Sequence, residues 1–243
     1  MIYLFDVDGT LTPSRKGIDK KFAVWFSKFC EREKVYIVTG SDRPKTIEQI
    51  GHVIYNRCRG VYQCSGSQYW IKEALMRSSN WVLPDIARQF LLQCLYEENF
   101  HIRTGLHIET RPGMVNYSVL GRNGTPEQRA KFIEYDKKTN SRKKTADAFN
   151  TLFPDLQATI GGETGLDIAP KGADKGQIIK DFAKTSEITF FGDAMFEGGN
   201  DYPLKVALEN GNFSKVKCIE VNTWQETWEH LKEEQSDKFN YSV

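Results

Sequence analysis

Three polar clusters and one lysine in this chain carry residue types that do chemistry together. Asp6-Val-Asp-Gly-Thr-Leu-Thr12 sets two carboxylates, Asp6 and Asp8, two residues apart directly after an apolar run. Thr39-Gly-Ser41 supplies two hydroxyls and a glycine, Gly192-Asp193 adds a third carboxylate, and Lys175 adds a cation. Converging carboxylates repel unless a cation sits among them, and an all-oxygen set of Asp6, Asp8 and Asp193 suits Mg²⁺, which takes few carboxylates and fills its shell with water and phosphate. The chemistry expected is therefore phosphoryl transfer. One of the paired carboxylates would attack phosphorus to give an aspartyl-phosphate, while the other protonates the departing oxygen and later deprotonates the acceptor. Lys175, Thr39 and Ser41 would stabilise charge on the transferring group.

The elements around these clusters decide whether they can meet. Ile2-Tyr-Leu-Phe5, Val35-Tyr-Ile-Val38 and Ile188-Thr-Phe-Phe191 are short continuous apolar runs, each ending at one of the polar clusters. Such runs suit strands covered on both faces of a parallel sheet. Between the first two, Phe22, Trp25, Phe26, Phe29 and Cys30 recur at helical spacing, which makes a βαβ unit. Further helices are expected over residues 43–51 and 174–184, and a strand over 216–221. Thr223-Trp-Gln-Glu226 is a capping-box pattern that opens a last helix, with Trp224, Trp228 and Leu231 on one face. The tail beyond Lys232 is expected to be loosely held. In an open α/β sheet ligands bind beyond the carboxyl ends of the strands, where the clusters fall.

From about residue 82 to 172 the rhythm changes. His107-Ile-Glu-Thr110, Val115-Asn-Tyr-Ser-Val119, Gln157-Ala-Thr-Ile160 and Leu166-Asp-Ile168 alternate on one side, and Thr125-Pro-Glu-Gln128 is a second capping box, starting a helix to about residue 138. The expected class is α/β, a Rossmann-like parallel sheet core carrying an inserted α+β cap. The core takes residues 1–81 and 173–243, and the cap takes 82–172.

Composition excludes other classes more than it selects one. The 243 residues carry 33 basic and 32 acidic side chains, a formal charge of +1, which predicts no attraction to nucleic acid or an anionic membrane. Five scattered cysteines without a Cys-x-x-Cys pair argue against zinc or a disulfide framework and favour the cytoplasm. No segment approaches the ~18 apolar residues of a membrane span. The local basic run at Lys137-Lys138 and Arg142-Lys143-Lys144 reads as a solvated face.

Taken in order, Asp6-Val-Asp-Gly-Thr, the Thr39/Ser41 turn, Lys175 and Gly192-Asp193 resemble the four motifs of the haloacid dehalogenase superfamily, whose first aspartate is the nucleophile. Phe190-Phe-Gly-Asp-Ala-Met-Phe-Glu-Gly-Gly-Asn-Asp201 is similar to the signature of eukaryotic-type phosphomannomutases, with Asn200 and Asp201 in its supporting extension. The stretch from Asp6 to Arg15 and Gly40-Ser-Asp42 match as well. So do Arg111-Pro-Gly-Met-Val-Asn, Gly121-Arg122 and Glu127-Gln-Arg129, which resemble the cap segments whose three arginines bind sugar phosphate. The guanidinium fork holds phosphate oxygens bidentately, so Arg111, Arg122 and Arg129 would take the second phosphate of the sugar. By the same resemblance Arg15 and Asp167 contact substrate.

Two departures stand out. Gly161-Gly-Glu-Thr-Gly-Leu-Asp167 has glycine at 165 where the family has a substrate-contacting serine, and Leu204-Lys-Val-Ala-Leu208 stands where the family often binds an additional cation. The resemblance implies a phosphohexomutase that exchanges phosphoryl between positions 1 and 6 of a hexose, with Mg²⁺ as cofactor and a hexose 1,6-bisphosphate as activator. A sugar-phosphate phosphatase, in which water discharges Asp6, is the alternative, and a sugar-phosphate sensor would need Asp6 or Asp8 idle. The family often dimerises through its cap, which implies a homodimer here.

Overall fold

The computed structural model describes residues 1–240, with side chains to residue 236. Two compact units emerge from it, one made of Met1–Ser78 with Asp174–Val243, the other of Ser79–Ala173. Each has its own apolar core.

The first unit is built on a seven-stranded sheet. β1 (Ile2–Phe5) leads through α1 (Lys20–Arg32) to β2 (Lys34–Val38), then through α2 (Arg43–Arg57) to β3 (Gly60–Gln63). β4 (Gln68–Ile71) and β5 (Ala74–Ser78) extend it as an antiparallel edge. After the second unit the chain returns with β10 (Glu187–Gly192), α6 (Tyr202–Glu209), β11 (Lys215–Glu220) and α7 (Trp224–Asn240). The strand order is β11-β10-β1-β2-β3-β4-β5. β1 pairs in parallel with β2 on one side and β10 on the other. The chain thus leaves β1 for one side early and reaches the other side late. That reversal opens a crevice at the carboxyl ends of these three strands.

Local signals account for several boundaries. Asp19 caps α1 by accepting from the Lys21 and Phe22 amides, and Asp42 caps α2 through the Lys45 amide. Gly51, at φ 78° and ψ 153°, interrupts α2 where the sequence pattern predicts the helix to end, but a second helical stretch follows and carries the buried Ile54 and Tyr55. Trp25, Trp224 and Trp228 pack with Phe22 and Phe29 along α1 and α7.

Two expectations are corrected. Residues 174–184 do not form an α-helix but a 3-10 segment, Lys175–Asp181. Its i→i+3 bonds, such as Gln177 N to the Asp174 carbonyl, wind the backbone tightly where Gly176 lies close to the Pro203 carbonyl and Ala207 of α6. The segment beyond Lys232 is helical to Asn240, tied by hydrogen bonds from Tyr3 Oη to Glu234 and from Gln235 to Glu33. At the start of α7, Thr223 caps the Glu226 amide, while the Glu226 carboxylate turns to the Asn222 backbone instead of completing the box.

The second unit contains α3 (Asp85–Glu97), β6 (Ile108–Arg111), β7 (Met114–Tyr117), α4 (Pro126–Thr139), α5 (Ser141–Leu152), β8 (Leu156–Gly161) and β9 (Gly165–Pro170). Its sheet is antiparallel throughout, in the order β6-β7-β9-β8. The capping box at Thr125 is complete: its hydroxyl accepts from Gln128 N, and the Gln128 side chain accepts from Thr125 N. On α4 and α5 three members of the basic run are paired in place, Lys138 with Glu134, Arg142 with Asp136 and Lys143 with Asp147. Among the described residues no helix is long and apolar enough to cross a membrane.

Candidate active site

Asp6 follows β1 directly, and its amide continues the sheet by donating to the Phe191 carbonyl at 3.0 Å. The residue is 3% exposed. Lys175 reaches it from the 3-10 segment, with Nζ donating to Asp6 Oδ1 at 2.5 Å and to Asp201 Oδ1 at 2.7 Å. The ammonium and Asp201 are fully buried. Asp201 is fixed in turn by the Ala194 amide, which donates to its second oxygen at 3.2 Å.

Asp193, just after β10, completes a set in which Asp6, Asp193 and Asp201 each present an oxygen within 4.8 Å of the others. Room for this comes from Gly9, at φ 78°, since a Cβ there would run into the Asp193 carboxylate. Burial pushes Asp6 above the usual carboxylate range; Lys175 opposes this, and Asp201 and Asp193 add to it. Burial likewise pushes Asp193 up to about 6, with Asp201 adding to it. Burial alone would lower Lys175, but the charges of Asp201 and Asp6 outweigh it and hold the ammonium above its ordinary value. One ammonium among three carboxylates leaves the cluster short of positive charge. A hard divalent cation with oxygen ligands fits that deficit.

Asp8 is not in this carboxylate set. After Asp6 the chain leaves the strand and doubles back, with the Leu11 and Thr12 amides both donating to the Val7 carbonyl, so strand alternation no longer governs where Asp8 points. Its Oδ1 instead accepts from Arg15 N at 2.5 Å and Gln49 Nε2 at 2.8 Å. Of the expected ligand set, Asp6 and Asp193 thus lie together with Asp201, while the Asp8 carboxylate lies outside that cluster. Arg15 itself is exposed with φ 61°, and its backbone N–H donates to Asp8.

Thr39 follows β2 and is buried; its hydroxyl accepts from Ser41 N at 3.1 Å. The turn is braced by the Cys64–Gly66 segment after β3, where Ser65 N donates to Thr39 O and Cys64 N to Ser41 O. Asn200 is exposed on the loop before Asp201.

In the second unit the register brings side chains into a row. Glu109 on β6 pairs with Asn116 on β7, Asn116 with Asp167 on β9, and Asp167 with Thr159 on β8. Asn116 Nδ2 donates to Asp167 Oδ1 at 2.7 Å. Arg111, two residues beyond Glu109 on the same strand face, donates to Glu109 Oε2 through Nε at 3.0 Å and a terminal nitrogen at 2.6 Å. Arg122 Nε lies 3.2 Å from that same oxygen. Two guanidinium groups therefore converge on one carboxylate oxygen. Arg129, on α4, pairs with Glu163 at 2.9 Å instead.

The model of the eukaryotic phosphomannomutase family matches residues 22–233. The chain belongs to that family. The phosphomannomutase of Saccharomyces cerevisiae is 35% identical over 215 residues, 84% of this chain and 85% of that one, and the Arabidopsis thaliana phosphomannomutase is 35% identical over 84% and 86%. Among solved structures, IMP-bound IMP-nucleotidase of Plasmodium falciparum superposes with a TM-score of 0.61 at 16% identity, over 95% of this chain and 67% of that one. The C-terminal domain of a trehalose-6-phosphate phosphatase from C. albicans gives 0.59 at 15% identity, over 87% and 74%. At that identity they share the fold, a haloacid dehalogenase fold with a parallel sheet core. The match to the phosphomannomutase model begins after Asp6 and Asp8, whose placement rests on the geometry above.

Sequence reasoning missed Glu109, Asn116, Glu163 and Gln49. The alternation of Glu109 with Arg111 was a usable signal for the first, because residues two apart share a strand face. Gly165, the departure from the phosphomannomutase serine, has a local cause: a Cβ there would come within 2.9 to 3.1 Å of the Asn116 amide group. At the other departure, Leu204 and Leu208 are buried core residues of α6.

Proposed function

We propose that this chain is a phosphohexomutase of the phosphomannomutase type, interconverting hexose 1-phosphate and hexose 6-phosphate. The observation that carries this reading is the buried bridge from Lys175 to both Asp6 and Asp201, beside Asp193, at the point where the strand order reverses. Family membership supports it, since curated relatives at about this distance are phosphomannomutases.

Asp6 attacks phosphorus of a hexose 1,6-bisphosphate, the bond from phosphorus to the sugar oxygen breaks, and Asp8 gives its proton to that oxygen. In the second half Asp8 takes the proton of the incoming hydroxyl as the phosphoryl group leaves Asp6. Lys175 keeps Asp6 oriented and offers positive charge to the transferring group, and the Thr39–Ser41 turn supplies hydroxyl and amide donors. Asp6, Asp193 and Asp201 would hold Mg²⁺, whose contribution when bound is to offset charge on carboxylate and phosphate oxygens. Arg111, Arg122 and Arg129 bind the second phosphate, displacing Glu109 and Glu163, and Asp167 receives sugar hydroxyls. Its five free thiols suit the cytoplasm, and the family habit supports a homodimer through the inserted unit.

The test is incubation with mannose 1-phosphate, Mg²⁺ and a catalytic amount of hexose bisphosphate. Conversion to the 6-phosphate is expected. Fast release of inorganic phosphate without the isomer would overturn the mutase reading in favour of a phosphatase.

A further inference from the structure

Gln49 has no part in the chemistry described so far, yet it is 2% exposed and points its amide into the active-site loop. Nε2 donates to Asp8 Oδ1 at 2.8 Å and to Thr12 Oγ1 at 3.3 Å. Its own Oε1 is buried with no hydrogen-bond partner among the described residues. An apolar side chain of the same length would fill the space without burying an orphan carbonyl oxygen, so packing alone does not account for glutamine here. The backbone is also fixed: Gln49 O accepts from Ile18 N at 2.8 Å, and two residues later Gly51 breaks α2. The amide is delivered to Asp8 by a pinned segment.

Both donors that meet Asp8, the Gln49 amide and Arg15 N, land on the same oxygen, Oδ1. Oδ2 accepts no hydrogen bond among the described residues. We infer that Gln49 is a positioning residue for the proposed acid and base: it locks Asp8 by Oδ1 so that Oδ2 carries the proton to and from the sugar oxygen. The inference rests on the reading of Asp8 given above. As Asp6 attacks phosphorus and the bond to the sugar oxygen breaks, the electron pair stays on that oxygen, and it takes the proton from Asp8 Oδ2. A donor whose leaving group is already a weak base needs no such proton.

That difference supplies the test. Formation of aspartyl-phosphate on Asp6 is followed by rapid quench and mass spectrometry, with hexose 1,6-bisphosphate and, separately, with acetyl phosphate or 2,4-dinitrophenyl phosphate, whichever the wild type accepts. Gln49→Met is expected to slow phosphorylation by the sugar bisphosphate roughly 10- to 100-fold, part of the ~10²- to 10⁴-fold that a positioned acid contributes. It leaves the low-basicity donor within about twofold of wild type. Equal loss with both donors, or no loss with either, overturns the inference. Asp8→Asn is run in parallel: no split between donors there would defeat the reading of Asp8, whereas a split in Asp8→Asn without one in Gln49→Met would defeat the role of Gln49 alone. Should the wild type accept neither activated donor, steady-state kinetics decide, with lowered kcat at unchanged KM expected and a raised KM at unchanged kcat overturning it.

Discussion

Lys175 Nζ sits 2.5 Å from Asp6 Oδ1 across 169 residues of sequence, inside a core where the ammonium has no exposure to solvent. Removing it leaves Asp6 and Asp201 buried without their counter-ion. Breaking a buried pair from one side costs about 3–5 kcal/mol, because a desolvated charge is left behind. Lys175→Met is accordingly expected to lower unfolding free energy by that order in urea titrations, and Lys175→Met with Asp201→Asn should recover part of the loss.

Asp6→Asn has the opposite sign for stability. Burial raises the Asp6 carboxyl, so its ionised form is unfavourable in the metal-free fold, and a neutral amide removes that burden. The variant is expected to match or exceed wild-type melting temperature in chelator. Turnover should fall to background, with no covalent phosphoenzyme in the mass spectrum.

Removal of Mg²⁺ tests which carboxylates hold it. Binding to the folded state at a hundredfold over Kd stabilises by about 2.7 kcal/mol. Wild type should therefore melt higher with Mg²⁺ than in chelator. Asp193→Asn is expected to lose this shift because Asp193 belongs to the cluster with Asp6 and Asp201. Asp8→Asn should keep it, since the Asp8 carboxylate lies outside that cluster.

Glu163 pairs with Arg129, with its own side chain 57% exposed. An exposed pair of this kind is worth about 0.2–1 kcal/mol. Glu163→Gln should free the guanidinium and lower the KM for sugar phosphate by up to about fivefold. The gain should shrink as salt rises.

Glu98 gives the second unit a dependence on acid. Burial by itself would raise its carboxyl, but hydrogen bonds from Ser141 Oγ, Tyr135 Oη and Asn99 N hold it below its ordinary value. A depressed carboxyl contributes stability that is present above the unfolded value and lost as pH falls through the folded one. Urea titrations of wild type and Glu98→Gln between pH 7 and pH 3 should show the variant weaker at pH 7 by about 1–2 kcal/mol. The two should converge at the acid end.

Much of this molecule is written in local pattern. Continuous apolar runs marked β1, β2 and β10, and the Thr125 box marked the start of α4, because burial on both faces and N-terminal capping are properties of neighbouring residues. The edge strands β4 and β5 escaped notice because their apolar runs, Tyr69-Trp-Ile71 and Ala74-Leu-Met76, are short and their side chains half-buried or exposed. α3 escaped because its N-cap is Pro84, which offers no side-chain cap.

The sequence by itself determined the nucleophile candidate, the phosphoryl-transfer chemistry and the kinship of the chain, since these depend on residue types in order. Only the tertiary structure decided that the Asp201 carboxylate gathers with those of Asp6 and Asp193, that Glu109 gathers Arg111 and Arg122, and that Gln49 holds Asp8. Each of these is a contact between side chains brought together by a loop that leaves its strand, a sheet register or a helix end. Such contacts are set by the packing of the whole chain, which no short window of residues encodes.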